Sequence, residues 1–375
     1  MGTARASETQ RGPLLTTSAR RYREREEVSV ACFHGCTAKI HGGNESADRE
    51  IPYKSEFYGL FRTPLAAMNQ FYKAQDAASC LEAEAGAVRS AMASQRTETS
   101  QHLADLNVED AMVVECGTGR KSWRICVPNP DDGIADEVVF AVQGIITRSN
   151  LVPTNVQHMD HRRALRLTQH IEITGFETGV FEESMTRLEV AQDIFAQHFS
   201  GHPVSRLATP IGRTGHVLGA SNRIFTLKVD TPTEQGSEFQ PGMDPLGSLE
   251  RLKSEELIHG PENVVRYYKR TRDQSTGKTS YDTSFPGIFR PGDIAEMHAS
   301  LIAIRTGDKK IKITCRLHAV TLLDNSYTKA ATIDKIMHKS RPTSATQVRR
   351  RGIYEMYAAG RSRRTICSAN PVGAE

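Results

Sequence analysis

Four side chains in the C-terminal third have the types and spacing to act together: Glu296, His298, Arg316 and His318. A carboxylate, two imidazoles and a guanidinium on one surface could move protons, stabilise an anion or hold a polar ligand. They meet only if two neighbouring segments are paired strands. In the second segment Ile311, Ile313, Cys315, Leu317, Ala319, Thr321 and Leu323 alternate with Lys310, Lys312, Thr314, Arg316, His318, Val320 and Leu322. In the first, Ala295, Met297, Ala299, Leu301 and Ala303 alternate with Ile294, Glu296, His298, Ser300, Ile302 and Ile304. Successive strand side chains point to opposite faces, so each run predicts one buried and one wet face.

Register decides who meets whom, because a slip of one residue puts a core set into water. A two-residue turn at Gly307 and Asp308 would set Ala303 against Lys312. A three-residue loop over Gly307, Asp308 and Lys309 sets Ala303 against Ile313, Leu301 against Cys315, Ala299 against Leu317 and Met297 against Ala319. Continued without interruption, that register places His298 opposite His318 and Ser300 opposite Arg316. Two facing imidazoles titrate together and respond to a bound anion.

Other groupings fit their motifs less well. Cys32, His34, Cys36 and His41 look metal-like, but no second Cys/His pair follows at a zinc-like distance. The run Val113–Gly119 imitates a cofactor loop, yet Lys121 replaces the last glycine and a strand follows where a helix is needed. Ser275–Thr279 imitates the end of a phosphate-binding loop, with Arg272 in place of its first glycine and strands on both sides. His158, Asp160, His161 and His170 lie in a basic run that reads as a solvated edge. No metal and no cofactor are expected.

Composition describes an ordinary globular chain, 38% hydrophobic and 25% charged over 375 residues. No apolar run is long enough to span a bilayer, the N-terminus lacks a signal core, and Ala6 spoils a myristoylation match. Seven scattered cysteines argue against a disulfide scaffold and for a reducing, intracellular setting. The net charge of +4 is unevenly spread. Between Lys335 and Arg364 nine basic residues, including Arg349, Arg350, Arg351, Arg361, Arg363 and Arg364, meet the single acid Glu355. The remainder of the chain is therefore net negative.

The expected organisation is a disordered arm over 1–27, an α+β region over 28–230, and a Pro/Gly-rich connector over 231–248. A β-rich module over 249–333, sharing a core with 28–230 or standing apart from it, and a basic tail over 334–375 complete it. Helices are expected near 64–107, on the stripe Leu81, Ala85, Val88 and Met92, and over 181–199, on Phe181, Met185, Leu188, Phe195 and Phe199. The segments 122–127, 137–147, 223–230 and 263–270 read as strands. The fold class is α+β: an antiparallel β-rich core, barrel or sandwich, with two packed helical segments and disordered termini.

The succession MDP, ENVVRYYKR, FRPGDIAEMHASLIAI and CRLHAVTLLDNSYTKAA resembles a large set of uncharacterised proteins of mushroom-forming fungi, mainly over 243–331. The resemblance implies a fungal, intracellular protein and carries no activity, cofactor or site residue with it. The functional expectation is a non-enzymatic interaction protein whose basic tail contacts nucleic acid or the import machinery, with no membrane partner. An enzyme working at the Glu296/His298/Arg316/His318 face and a structural assembly protein are the alternatives.

Overall fold

In the computed structural model the described residues are 68–95, 100–117, 121–129, 133–152, 161–232, 234–272, 275, 278–307 and 310–340. All belong to one compact unit, Leu60–Glu375. The Cys32/Cys36 cluster, the arm over 1–27, His158 and Asp160, and the arginines from Arg349 to Arg364 lie outside them.

Helix α1 (Ala74–Gln95) is followed by strands β1 (Ser100–His102), β2 (Met112–Cys116) and β3 (Ser122–Pro128). Next come β4 (Ala135–Glu137), β5 (Val139–Asn150), the single turn α2 (His161–Ala164) and β6 (Thr168–Thr174). Helix α3 (Gly179–His198) leads to β7 (Val204–Ser205), β8 (Ile211–Gly212) and β9 (Gly215–Arg223). An excursion holds β10 (Thr226–Leu227), α4 (Ser248–Leu252) and β11 (Leu257–Ile258). The chain then forms β12 (Arg266–Arg272), β13 (Thr279–Thr283), β14 (Ile294–Arg305), β15 (Ile311–Asp324) and α5 (Ser326–Ser340). This is an α+β fold with a β-rich core.

Strands from both sides of the 231–248 stretch belong to one mixed sheet. β14 pairs antiparallel with β15 on one edge; its other edge is shared between β5 and, further along, β3. β5 pairs with β6, β6 with β9, and β9 meets β15 through one parallel bridge, Arg316 with Ser221. The pairings β14–β15–β9–β6–β5 therefore return to β14 and close a ring. The inward residues of these strands share an apolar cluster with one face of α3, Phe181, Met185, Leu188, Ala191 and Phe195, and with Phe199 just past its end. The 231–248 stretch contributes Met243 to a smaller cluster with Val152, Phe225, Leu249 and Leu257.

The hairpin takes the expected three-residue loop, closed by the Thr306 amide donating to the Lys310 carbonyl at 2.9 Å. Ala303 faces Ile313, Leu301 faces Cys315 and Ala299 faces Leu317. There the register shifts: His298 faces Ala319, Met297 faces Val320 and Ala295 faces Leu322. His318 is the extra residue of a β-bulge, which corrects the expected His298–His318 and Met297–Ala319 pairs. The cause is the apolar pattern itself. Beyond Leu317 the core-facing residues are Val320 and Leu322, the two apolar side chains that strict alternation would have left in water.

Three further expectations are corrected. The helix expected over 64–107 is confined to Ala74–Gln95, and β1 follows it. The strand expected over 223–230 lies earlier, through the glycines of β9, because Gly219 is there for space: an added Cβ would come 3.2 Å from His170 Cε1. Finally, 326–340 is helical, its start held by Asp324, whose carboxylate accepts from the Ser326 amide at 2.8 Å. The tail's Lys335 and Lys339 thus stand exposed on a helix.

The entry to α3 is tight. Phe176 and Glu177 are left-handed, with φ of 50° and 63°, and a Cβ on Gly175 would lie 2.7 Å from Phe181 Cδ1. Gly175→Ala should therefore cost about 2 kcal/mol or more, since buried Phe181 cannot give way. Gly86→Ala, in the middle of α1 with nothing within 4 Å of an added Cβ, should stabilise by about 1 kcal/mol. Urea unfolding midpoints of the two variants should move in opposite directions.

Candidate functional site

Glu296, His298, Arg316 and His318 do share the sheet face opposite the apolar cluster, but as members of two separate hydrogen-bond networks. The first runs along β14, β5 and β1. His298 Nε2 and Glu296 Oε1 lie 2.7 Å apart. Gln143 Nε2 donates to Glu296 Oε2 at 2.8 Å, and Gln143 Oε1 lies 2.7 Å from His102 Nε2. His102 Nδ1 accepts from the Ala104 amide at 3.1 Å. That last bond assigns the tautomer: Nδ1 is bare, so Nε2–H donates to Gln143. Both carboxylate oxygens of Glu296, the Gln143 amide and both ring nitrogens of His102 thereby have partners.

The second network spans β3, β4, β14 and β15. Ser300 Oγ donates to Glu137 Oε1 at 2.6 Å and lies 2.8 Å from His318 Nε2. A hydroxyl has one proton, so Ser300 gives it to the carboxylate and accepts from His318 Nε2–H. Arg124 bridges two acids, reaching Glu137 Oε2 at 2.7 Å and Glu262 Oε2 at 2.8 Å. Arg316 also donates to Glu262 Oε2. One carboxylate thus serves two guanidiniums.

The positioning of Glu262 rests on a turn that no sequence signal marked. Residues Pro261–Asn263 form a single 3-10 turn. Asn263 Oδ1 accepts from the Gly260 amide at 2.9 Å and Asn263 Nδ2 donates to Thr226 Oγ1 at 2.9 Å. Asn222 Nδ2 donates both to the Glu262 carbonyl at 2.9 Å and to the Leu317 carbonyl at 3.1 Å. Leu317 is the residue beside the bulge, so one buried amide holds the bulge and the acid together. Asn222 lies 40 residues before Glu262, and no local pattern connects the two.

Burial and charge set the protonation states. Burial pushes the Glu296 carboxyl up, but the hydrogen bond and charge of His298, with Gln143, outweigh it and hold it below the usual range. Burial likewise opposes, and Arg124 and Arg316 overcome, in the lowering of Glu262. Burial, then the nearby Arg124 charge, lowers Arg316, while Arg124 itself, against its burial, is raised by Glu137 and Glu262. The difference has a plain cause: Arg124 pairs with both Glu137 and Glu262, whereas Arg316 pairs only with Glu262, which it shares. Burial lowers His318 despite Glu137, and lowers His102 despite Gln143.

Chemically, the face pairs its charges internally, though Arg124 Nε is buried without a partner among the described residues. Ser300 is wholly buried and Glu296 is 5% exposed. The rings of His298 and His318 are 25% and 27% exposed, each with its Nε2 held from within. In a serine nucleophile triad the acid sits on the far ring nitrogen of the histidine; here Glu137 sits on the serine. Among the described residues no cluster of His, Cys, Asp and Glu could hold a metal ion. His170 is occupied with Glu172 at 3.0 Å, and Cys80, Cys116, Cys126 and Cys315 are free thiols. No helix among the described residues is long and apolar enough to cross a membrane. No protein-family profile matches the chain, and no curated protein matches it.

Breaking either network should show in stability. Glu296→Ala strands Gln143 and His298 and should cost about 3 kcal/mol in urea unfolding. The histidines His102, His259 and His318 are lowered from 6.5 in the fold, chiefly by burial, so the unfolded chain takes up their protons first. Their contribution is complete above about pH 6.5 and is lost as pH falls below it. The lowered carboxyls Glu262 and Glu296 add a further loss below their ordinary 4.5. The urea midpoint should thus be lower at pH 5.5 than at pH 7.5, and His102→Gln should reduce that difference.

Proposed function

We propose that the protein is a non-enzymatic interaction protein that contacts nucleic acid through its basic C-terminal segment. The observation that carries this is where cationic charge is left over. In the body, Arg89, Arg124, Arg206, Arg270 and Arg316 each face a carboxylate, whereas from Lys335 to Arg364 nine basic residues face one acid. Phosphates neutralised by such residues release counterions, which gives sequence-independent affinity that falls with salt. The full burial of Ser300 and the internal pairing around it support a structural role for the polar face. The runs at 349–351 and 361–364 also fit a basic import signal and an intracellular, nuclear site of action.

One observation favours a second reading, an enzyme or ligand site at the polar face: the rings of His298 and His318 reach solvent beside Glu296 and Arg316. That reading requires a small molecule whose affinity changes in His298→Ala.

The primary reading is tested by titrating the full chain with a labelled oligothymidine at several salt concentrations. Log affinity should fall linearly with log salt. Changing Arg349, Arg350, Arg351, Arg361, Arg363 and Arg364 to Gln should flatten the slope by about four. No binding at low salt, or an unchanged slope, would remove the proposal.

A further inference from the structure

We propose that the β12–β13 ribbon is a second nucleic-acid contact, a stacking surface for a single strand. It rests on the nucleic-acid reading above but on different residues. Register places Arg270 opposite Tyr281, Arg272 opposite Thr279 and Tyr268 opposite Thr283. Side-chain alternation then gathers Arg266, Tyr268, Arg270, Arg272 and Tyr281 on one face, while Tyr267, on the other, is wholly buried in the core. The result is a face that carries three guanidiniums and two phenols.

That face is available among the described residues. Arg266 and Arg272 are exposed, β13 is exposed along its whole length, and Tyr281 is 55% exposed. Arg270, cross-strand from Tyr281, is paired with Glu84 of α1 at 2.5 Å and is only 17% exposed, so the free cations of the face are Arg266 and Arg272. The ribbon's acid Asp282 points to the opposite face, where its carboxylate accepts from the Thr271 hydroxyl at 2.6 Å. β13 is the terminal strand of its sheet, so a long ligand meets no further strand beyond it. Cations for phosphates, with an exposed ring between them for a base, are the elements of sequence-tolerant single-strand binding. A duplex hides its base faces and could use only the cations.

The test uses full-length protein with labelled oligothymidine, oligouridine and a duplex of equal length. A ribbon variant, Arg266→Gln with Arg272→Gln and Tyr281→Ala, should weaken single-strand binding at least about tenfold. Tyr281→Phe should bind as the parent does. Single strands, DNA or RNA, should be preferred over duplex, and the Tyr281→Ala loss should persist when the six tail arginines are glutamines. An unchanged affinity in the ribbon variant, or a preference for duplex, overturns the ribbon. A tail variant that binds like the parent counts against the tail alone, and a parent that binds nothing removes both. An unaltered urea midpoint confirms folding of the triple variant. Should that variant unfold, weaker binding by Tyr281→Ala than by Tyr281→Phe supports the ribbon, and equal binding overturns it.

Discussion

The bulge at His318 is the constraint on which the rest of the structure depends. β15 has to serve one neighbour, β14, along its full length and several others along its second edge: β7 and β9 before the bulge, β12 after it. A regular strand cannot turn its edge that way and keep its apolar side inward. The extra residue re-aims the strand, keeps Val320 and Leu322 in the core, and puts His318 within reach of Ser300. The carbonyl of Leu317 at the shift is supplied by Asn222, which meets the requirement that buried backbone groups be paired.

The polar face follows from the same geometry. With one side of the hairpin given to the core, the other must hold Glu296, Ser300 and Arg316 in a largely buried setting where unpaired charge is costly. The structure solves this by closure: two acids on two guanidiniums, a serine between an imidazole and a carboxylate, and an amide relaying from one buried histidine to a carboxylate. Closure of that kind rigidifies and specifies the sheet, and it accounts for a cluster that has catalytic residue types without an exposed nucleophile.

Much of the hairpin was legible because its signal is local: alternation, a glycine-bearing loop and a parity argument give the register as far as Ala299 and Leu317. The bulge was visible only as a blemish, Val320 and Leu322 on the supposedly wet side. α3 was equally legible from Phe181 to Phe199. Alternation places Glu296, His298, Arg316 and His318 on one face, while Glu137, Arg124, Gln143 and His102 come from distant strands and Glu262 from the Pro261–Asn263 turn, which no local pattern connects. β9 was missed because glycine ordinarily signals a turn, and at Gly219 it signals proximity. α5 was missed because its apolar residues Ile333, Ile336 and Met337 remain 58–63% exposed, so no buried stripe marks it.

The single parallel bridge between Arg316 and Ser221 has a mechanical meaning. Every other junction around the ring is stitched by a ladder of several residues, and this one relies on a lone backbone contact with the Asn222 amide beside it. Parting there sacrifices the fewest bonds and opens the ring into a sheet still joined through β5 and β14, so it is the junction where local opening costs least. A closed sheet with such a seam combines a stiff wall with one place able to breathe.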